Sequence, residues 1–287
     1  MRTQTHEVNA PARVALITGG TDGIGKATAR VLLRGGWRVV VTGRNPGKCE
    51  ATVAELEAAV PGAAVSALVG DLGRMADVAR VAAEFRARND RLDALLLNAN
   101  TITQTHTMTP DGFEANLALG YLGRALLAWH LEDRLGQTPG AQVLTVVGLN
   151  LQRLDFDAPS TAAGFSSMKA LGRWQWAMQV FARAWNAPSA TPMNVYMPGL
   201  VRTKILAEEP QPMRLIVQIA NLLVGVRVDR AGKELAGVVE RVATSGARDA
   251  YFARTKLEPR RNLREQTGDG ERLWALTERL LAPWRAV

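Results

Sequence analysis

The sequence has little cysteine, and it has no stretch typical of a signal peptide or a membrane span. Its single cysteine, Cys49, cannot form an internal disulfide, and the polar residues 1–8 lack the apolar run of a signal peptide. The most apolar late stretch, residues 215–226, is interrupted by Gln218 and Asn221 and is too short to cross a bilayer. We therefore expect a cytoplasmic protein without a membrane span.

Lysine is also scarce, because only six of the thirty-five basic residues are lysine. The net charge is +8 and the isoelectric point about 10.2, yet the basic residues are dispersed and only residues 256–264 form a modest cluster. This distribution argues against nucleic-acid binding and suits an acidic cofactor or an anionic substrate. No proline-rich or low-complexity linker divides the 287 residues. We therefore expect a single domain, residues 1–287, around one large core.

A glycine-rich stretch, residues 18–25, follows an apolar strand at residues 14–17 and opens a helix. Gly19 permits a tight turn, while Gly23 and Gly25 let the backbone approach a pyrophosphate that the helix N-terminus can bind. The pattern predicts a dinucleotide-binding loop, and a turn without a ligand is the alternative. The candidate cofactor-binding residues here are Gly19, Thr21, Asp22, Gly23, Ile24 and Gly25.

The end of the next apolar strand, residues 37–42, indicates which dinucleotide binds. An acidic residue there would hold a ribose 2′-hydroxyl, whereas Arg44 offers a cationic fork to a 2′-phosphate. Lys48 is a possible second donor, and Asn45 lies between them in sequence. We therefore predict NADP(H), with Arg44 and Asn45 at the phosphate; a solvated arginine after a strand is the alternative.

The spacing Thr-Gly-x-x-x-Gly-x-Gly resembles the glycine motif of the short-chain dehydrogenase/reductase family. Residues 109–114, which we expect to open a helix, and the tail at residues 271–276 resemble the retinol-dehydrogenase-like branch of that family. Residues 198–203 match its Pro-Gly-x-Val-x-Thr motif, which holds the nicotinamide carboxamide. The resemblance covers nearly the whole chain. It implies an α/β doubly wound Rossmann fold with about seven parallel strands, helices on both faces and a ligand crevice at the strands' carboxyl ends.

The resemblance also assigns further cofactor contacts. Asp71 follows the third strand, where the family places an acidic contact to the adenine, although it could equally cap the helix through residues 75–85. Residues 97–100 fall on the family's Asn-Asn-Ala-Gly motif and keep only its middle pair; Asn100 stands in the glycine position. The residues implied as cofactor-binding are Asp71, Leu72, Asn98, Ala99, Lys169, Pro198, Gly199, Val201 and Thr203.

The catalytic positions depart from the family pattern. The asparagine position is Gly120, with Asn116 one helical turn earlier as a partial substitute or as a helix-surface or kink residue. The serine position after the fifth strand is Gly148. The family's Tyr-x-x-x-Lys falls on residues 165–169, so Phe165 stands in place of the tyrosine and only Lys169 is kept.

These replacements change the chemistry that the resemblance implies. In the family the tyrosine supplies a proton, the lysine lowers its pKa and holds the ribose, and the serine orients the carbonyl. Loss of a general acid costs roughly 10²–10⁴-fold, and loss of an oxyanion donor about 10²-fold. Three hypotheses stay open. The first is an NADP(H) enzyme that needs no tyrosine proton, in iminium reduction, cyclisation or isomerisation. The second is an ordinary carbonyl reductase with a substitute acid at Tyr121, His106 or Tyr196. The third is a cofactor-sensing pseudoenzyme that binds a partner protein.

The expected substrate is a hydrophobic small molecule. Residues 204–228 fall where the retinol-dehydrogenase-like branch builds its substrate cover, and several apolar residues surround the expected crevice. These are Leu149, Leu151, Phe156, Leu206, Met213, Ile216 and Leu222. Family members commonly pair through the helices that here carry Gly120 and Phe165, so the resemblance implies a homodimer or homotetramer.

Overall fold

The computed structural model describes residues 12–148, 152–202, 225–259 and 265–285. Strands and helices alternate along the chain, as the apolar runs predict. The strands are β1 (Val14–Ile17), β2 (Arg38–Gly43), β3 (Val65–Val69), β4 (Ala94–Leu97), β5 (Gln142–Val146), β6 (Met193–Met197), β7 (Tyr251–Ala253) and β8 (Lys256–Glu258). The helices are α1 (Gly23–Arg34), α2 (Pro46–Ala59), α3 (Met75–Arg88), α4 (Ala115–Leu117), α5 (Gly123–Gly136), α6 (Ser167–Trp185), α7 (Val228–Ser245) and α8 (Asp269–Arg285).

All these strands form one sheet in the order β3-β2-β1-β4-β5-β6-β7-β8. β1 to β7 are parallel, and β8 adds an antiparallel edge strand to β7. The strand order reverses between β1 and β4, because Ile17 pairs with Val41 on one side and with Leu96 on the other. In doubly wound sheets the ligand crevice opens at this reversal, beyond the carboxyl ends of the strands. The predicted α/β doubly wound fold is confirmed.

Helices cover both faces of the sheet, which explains why its central strands are apolar throughout. Ile17 belongs to the core under α1 and α7, whereas Leu16 belongs to the opposite core under α3, α5, α6 and α8. α1 and α7 approach so closely that a methyl group built on Gly232 would lie only 2.5 Å from Cβ of Ala27.

The last helix, α8, covers α5 and α6 within the same chain. The ring of Trp274 stacks on Phe181 of α6 at 5.4 Å between centroids, and its edge contacts Trp129 of α5 at 5.5 Å. Leu273 is fully buried in this contact. Residues 170–182 of α6 are buried on every side apart from one half-buried arginine, as expected for a helix inside a core.

The helix expected at residues 109–114 begins later, at Ala115. The carboxylate of Glu114 caps it by accepting bonds from the backbone N–H groups of Asn116 and Leu117, at 3.0 and 2.9 Å. A π-helical turn, Ala118–Leu122, then joins α4 to α5. The expected start was wrong because residues 109–114 form a turn that serves another helix: Asp111 accepts the N–H of Met75 at the start of α3.

Candidate cofactor and active site

The glycine loop after β1 is shaped so that no side chain fits at its key positions. Gly19 has a φ of +62°, and a methyl group built on it would lie 2.8 Å from Cα of Ala99. A methyl group on Gly25 would lie 2.5 Å from the carbonyl oxygen of Gly19. Asp22 caps α1 by accepting the N–H of Gly23 at 2.8 Å. The loop therefore packs closely on itself and on the end of β4 before α1 begins, and pyrophosphate binding at the N-terminus of that helix stays a prediction.

Asn98 and Ala99 hold this loop against the end of β4. The Asn98 amide Nδ2 donates to the carbonyl oxygens of Thr18 and Gly19, at 3.0 and 3.3 Å. The Thr18 hydroxyl accepts both backbone N–H groups, at 2.8 and 2.9 Å. Sequence reasoning missed Thr18, although its place at the carboxyl end of β1 was a usable signal. Asn98 therefore positions the loop, and Oδ1 of neighbouring Asn100 is buried without a hydrogen-bond partner.

Arg44 lies beside the glycine loop with its side chain exposed. The end of β2 abuts the loop, since a methyl group on Gly43 would lie 2.7 Å from Cγ2 of Thr21. Within the part of the chain that the structure describes, the Arg44 guanidinium has no hydrogen bond or ion pair. It is thus placed to meet a 2′-phosphate without first breaking an ion pair.

Lys48 and Asn45, by contrast, already have partners. Nζ of Lys48 lies 2.7 Å from Oδ2 of Asp22, and this bond holds the pKa of the Asp22 carboxyl below its usual value. The Asn45 side chain caps α2 by accepting the N–H of Lys48 at 2.9 Å. Asn45 therefore orders α2 next to the loop, while Lys48 is tied to the loop itself.

Asp71 does not cap α3, which corrects one of its two predicted roles. Its Oδ1 accepts the N–H of Gly73 at 3.0 Å, and α3 begins only at Met75. Asp71 therefore orders the turn after β3, and a contact with the adenine stays a prediction. The carbonyl oxygen of Leu72 packs against the start of α5, where a methyl group on Gly123 would lie 2.1 Å away.

The space beside Gly120 is filled by an indole ring. A methyl group on Gly120 would lie 2.5 Å from Cδ2 of Trp174 in α6. Trp174 is 1% exposed, and the guanidinium of Arg124 lies 4.8 Å from its ring centroid. An asparagine at residue 120 would collide with this ring.

The space beside Gly148 is filled in the same way, by an amide. A methyl group on Gly148 would lie 2.8 Å from Nε2 of Gln175, the residue next to Trp174. Sequence reasoning missed both Trp174 and Gln175, because nothing in a run of helical residues shows which of them meets a glycine 27 or 54 positions earlier.

Phe165 and Lys169 stand together at the start of α6. Ser166 caps the helix by accepting the N–H of Lys169, and Nζ of the exposed Lys169 donates to the carbonyl oxygen of Gly164 at 3.2 Å. The imidazole of His106 contacts the Phe165 ring edge-on, at 5.5 Å between centroids. The structure thus brings one ionisable ring to the position that the resemblance assigns to tyrosine.

The predictions of Tyr121 and Tyr196 as substitute acids were wrong. The hydroxyl of Tyr121 pairs with Thr277 of α8, inside the core. The hydroxyl of Tyr196 points to the carbonyl oxygen of Ala231 in α7, at 3.4 Å. Burial raises the pKa of both phenols well above the usual value. Neither can supply a proton at the crevice.

The predictions of Asn116 as a substitute for the missing asparagine and as a helix-surface residue were wrong, whereas its place just before the π-helical turn Ala118–Leu122 agrees with the alternative of a kink residue. It is 1% exposed, its Nδ2 donates to the Thr103 hydroxyl at 2.7 Å, and its Oδ1 accepts the N–H of Thr103 at 2.9 Å. It therefore fastens the loop after β4 to the helix.

Arg124 is a buried cation that links the carboxyl ends of β4 and β5. Its guanidinium donates to the carbonyl oxygens of Ala99 and Val146, each at 2.7 Å. Burial lowers its pKa to about 9. The sequence did not single it out, since an arginine inside a helix is usually solvated.

The predicted nicotinamide-binding segment is described in part. Pro198 and Val201 are buried, Gly199 has a φ of +77°, and Val201 forms a parallel bridge with Val226. Thr203 lies outside the described residues. So do residues 204–224 of the predicted cover, together with Leu149 and Leu151 and with the cover residues Leu206, Met213, Ile216 and Leu222.

Phe156 was predicted to lie among apolar residues around the crevice, with core packing as the alternative. It packs against Trp176 and belongs to the hydrophobic core, and the guanidinium carbons of Arg153 and Arg272 lie 5.1 and 4.6 Å from its ring centroid. It also lines a polar cavity of about 330 Å³ together with Arg173. Its surroundings therefore combine the core with cations.

The sheet order, with the glycine loop at its reversal, defines a doubly wound fold of the Rossmann type. A family model described as short chain dehydrogenase matches residues 13–213, more than half of the chain. The chain belongs to this short-chain dehydrogenase/reductase family.

Three similar proteins show where in the family it lies. Human polyprenol dehydrogenase is 33% identical over 206 residues, 68% of this chain and 62% of that protein. Mouse retinol dehydrogenase 12 is 34% identical over 142 residues, 50% of this chain and 45% of that protein. The chain thus matches less than two thirds of the length of either relative. A short-chain dehydrogenase from Sphingobium yanoikuyae in complex with NADPH has a TM-score of 0.60 at 25% identity, covering 80% of this chain and 84% of that one.

These matches confirm the family and a distant relationship to retinol dehydrogenases. Among the described residues, no helix combines the length and apolar character needed to span a membrane.

Proposed function

We propose that this protein is an NADP(H)-dependent oxidoreductase that reduces a hydrophobic small molecule without a tyrosine proton donor. The observation that carries the proposal is the filling of two vacated positions: Trp174 occupies the space beside Gly120, and Gln175 the space beside Gly148. Gly148 lies at the carboxyl end of β5, on the same edge of the sheet as the glycine loop that follows β1. A site that had merely decayed would keep empty space there, so the packing supports a remodelled chamber.

The preference for NADP(H) over NAD(H) rests on Arg44. Its exposed guanidinium has no competing partner among the described residues, and a charge-assisted bond to phosphate is worth about 1.5–3 kcal/mol. The solved relative that carries NADPH is consistent with this preference.

The missing tyrosine limits which double bonds can be reduced efficiently. When bound, NADPH supplies a hydride to the substrate. A carbonyl that accepts it becomes an alkoxide and then needs a proton, whereas an iminium becomes a neutral amine and needs none. Phe165 offers no proton, so reduction of an iminium fits the chamber best. Cyclisation or isomerisation guided by the pocket is the related hypothesis without net reduction.

Two cations near the chamber bear on this choice. Lys169 is exposed, so water and salt screen its charge, and its ammonium group is suited to holding the ribose. Arg124 is buried, but the carbonyl oxygens of Ala99 and Val146 receive its donors. Neither cation rules out a positively charged electrophile.

A second candidate function is carbonyl reduction with His106 as the acid. The observation that favours it is the contact between the His106 imidazole and the Phe165 ring. Nε2 of His106 lies 2.9 Å from the carbonyl oxygen of Ser160, and this contact fixes the ring. Nδ1 is the other ring nitrogen that can carry a proton.

The relatives support a hydrophobic substrate. Polyprenol and retinol, in the names of the two curated relatives, are long apolar alcohols. We propose the same class of molecule here, with its polar end at the nicotinamide.

The test compares substrates and two variants. Purified protein is assayed for NADPH consumption with an iminium, the N-protonated form of 1-methyl-3,4-dihydroisoquinoline that takes its proton from the buffer, and with a ketone, 2-decanone. We expect turnover of the imine only, and Phe165→Tyr should then create ketone reduction. Rapid ketone reduction that is lost in His106→Gln would instead establish the second candidate. Binding of NADPH with no turnover of any small molecule would point to the pseudoenzyme hypothesis and refute both.

We further propose that the chain does not pair through α5 and α6. The resemblance predicts a homodimer or homotetramer formed by these helices, but α8 covers them and leaves residues 170–182 with no exposed apolar face. Sedimentation equilibrium of the full chain should give a monomer, or an oligomer that survives Arg183→Ala on the outer surface of α6.

A further inference from the structure

The polar group nearest to the position of the missing serine is the side-chain amide of Gln175. A methyl group built on Gly148 would lie 2.8 Å from its Nε2 and 3.0 Å from its Oε1. Gln175 is 3% exposed, and its Oε1 has no hydrogen-bond partner. Buried polar atoms are almost always paired in folded proteins, so an unpaired one at the rim of a crevice calls for a ligand.

The position of Gly148 gives this amide access to the crevice. Gly148 follows β5 directly, at the sheet edge where ligands bind, and it is half-exposed. Any larger residue at 148 would displace the amide. Gly148 and Gln175 are therefore coupled, because the absence of a side chain at residue 148 leaves the volume that the Gln175 amide occupies.

The neighbouring residue shows that space-filling alone does not require a polar side chain. Trp174, in the same helix, fills the gap at Gly120 with the carbon atoms of its indole, since the ring atoms nearest to a methyl group built on Gly120 are Cδ2, Cγ and Cε2. A glutamine inside a helix that is buried on every side is costly to desolvate compared with leucine or methionine. A requirement for a polar group at this position, in addition to the right side-chain volume, explains why residue 175 is a glutamine.

We propose that the Gln175 amide contacts the reacting heteroatom of the substrate, in the place where relatives use a serine hydroxyl. The proposal rests on the proposed function. An amide can accept as well as donate, so Oε1 meets the N–H of an iminium, and Nε2 meets the oxygen of a carbonyl.

Gln179 provides a matched control for this role. It lies one turn further along α6, is 2% exposed, and also has an unpaired buried amide atom, Nε2. A purely structural role, in which each amide only fills volume inside the core, would make Gln175→Leu and Gln179→Leu equivalent. If Gln175 instead contacts the ligand in the crevice, only Gln175→Leu should weaken ligand binding.

The experiment measures binding to the NADP⁺-loaded protein, in which neither probe can be reduced. Tryptophan fluorescence is titrated with 1-methyl-3,4-dihydroisoquinoline and with 2-decanone, and melting temperatures are recorded for each variant. We expect Gln175→Leu to weaken the tighter-binding probe by about 10-fold or more. Gln179→Leu should stay within about 2-fold, and Gln175→Leu should melt at or above the wild-type temperature, because it removes an unpaired buried amide.

The outcomes separate this inference from the proposed function. Unchanged probe affinity in Gln175→Leu, with binding to the wild type intact, would overturn the inference alone. No binding of either probe to the wild type at millimolar concentration would overturn both. If the leucine variant does not fold, Gln175→Met keeps the volume and unbranched shape and decides the question by the same measurement.

Discussion

The contact between Gly120 and Trp174 can be tested by adding one methyl group. In Gly120→Ala the new Cβ would lie 2.5, 2.6 and 2.9 Å from three atoms of the Trp174 indole. The ring is fully buried and has the Arg124 guanidinium against it, so it has little freedom to move away. The substitution should therefore overpack the core.

The size of the effect follows from two opposing terms. Overpacking a dense core costs about 1–3 kcal/mol, and a contact this short with a rigid ring belongs at the upper end. Replacing glycine by alanine inside a helix gains about 1 kcal/mol. We expect Gly120→Ala to lower the free energy of unfolding by about 2 kcal/mol, the difference of these two terms.

Gly237→Ala is the matched control, because Gly237 lies within α7 and has no atom within 4 Å of a built Cβ. It should raise stability by about 1 kcal/mol. Urea unfolding followed by fluorescence measures both variants. In a Trp174→Leu background the cost of Gly120→Ala should largely vanish. Equal stability of Gly120→Ala and Gly237→Ala, or a cost that persists without the indole, would refute the placement of Trp174.

Three further predictions concern the cofactor, the last helix and pH. Arg44→Ala should weaken NADPH binding by about 10- to 100-fold and leave NADH binding unchanged, as measured by fluorescence titration, with Arg38→Ala as a neutral control. Tyr121→Phe should cost about 0.5–1.5 kcal/mol of stability without changing the pH dependence of turnover, because its hydroxyl pairs inside the core; a changed pH profile would contradict this. The ion pair with Arg153 holds the pKa of the Asp269 carboxyl below its usual value. Since the folded pKa is lower than the unfolded one, this stabilisation is present above about pH 4 and is lost as pH falls through the folded pKa. Asp269→Asn should therefore cost about 1–3 kcal/mol at pH 7, and its deficit relative to the wild type should close in acid; a deficit independent of pH would exclude the ion pair as its cause.

Local pattern was enough to predict the fold class and the cofactor loop. Continuous apolar runs are typical of strands buried on both faces, and Gly19 and Gly23 take the positive φ angles of a tight turn, a demand that acts within a few residues. The exposed Arg44 after β2 and the phenylalanine at 165 could likewise be read directly, because their significance depends on residue type at a fixed place in a motif.

The start of the helix after β4 could not be predicted in the same way. The pattern at residues 109–114 is compatible with a helix, but Asp111 is recruited to cap α3, which is distant in sequence. Tyr121 failed as an acid for a related reason, since its direction is set by a hydroxyl partner on α8.

The sequence alone therefore determined the Rossmann architecture, and it predicted both the dinucleotide loop and the replacement of tyrosine, serine and asparagine at the positions that the resemblance assigns to them. Only the tertiary structure decided what took their place: the indole of Trp174 at Gly120, the amide of Gln175 at Gly148 and the imidazole of His106 at Phe165. The physical reason is that a glycine shows in the sequence only that a side chain is missing. Which distant side chain fills the volume is settled by close packing among elements that meet only in the folded chain.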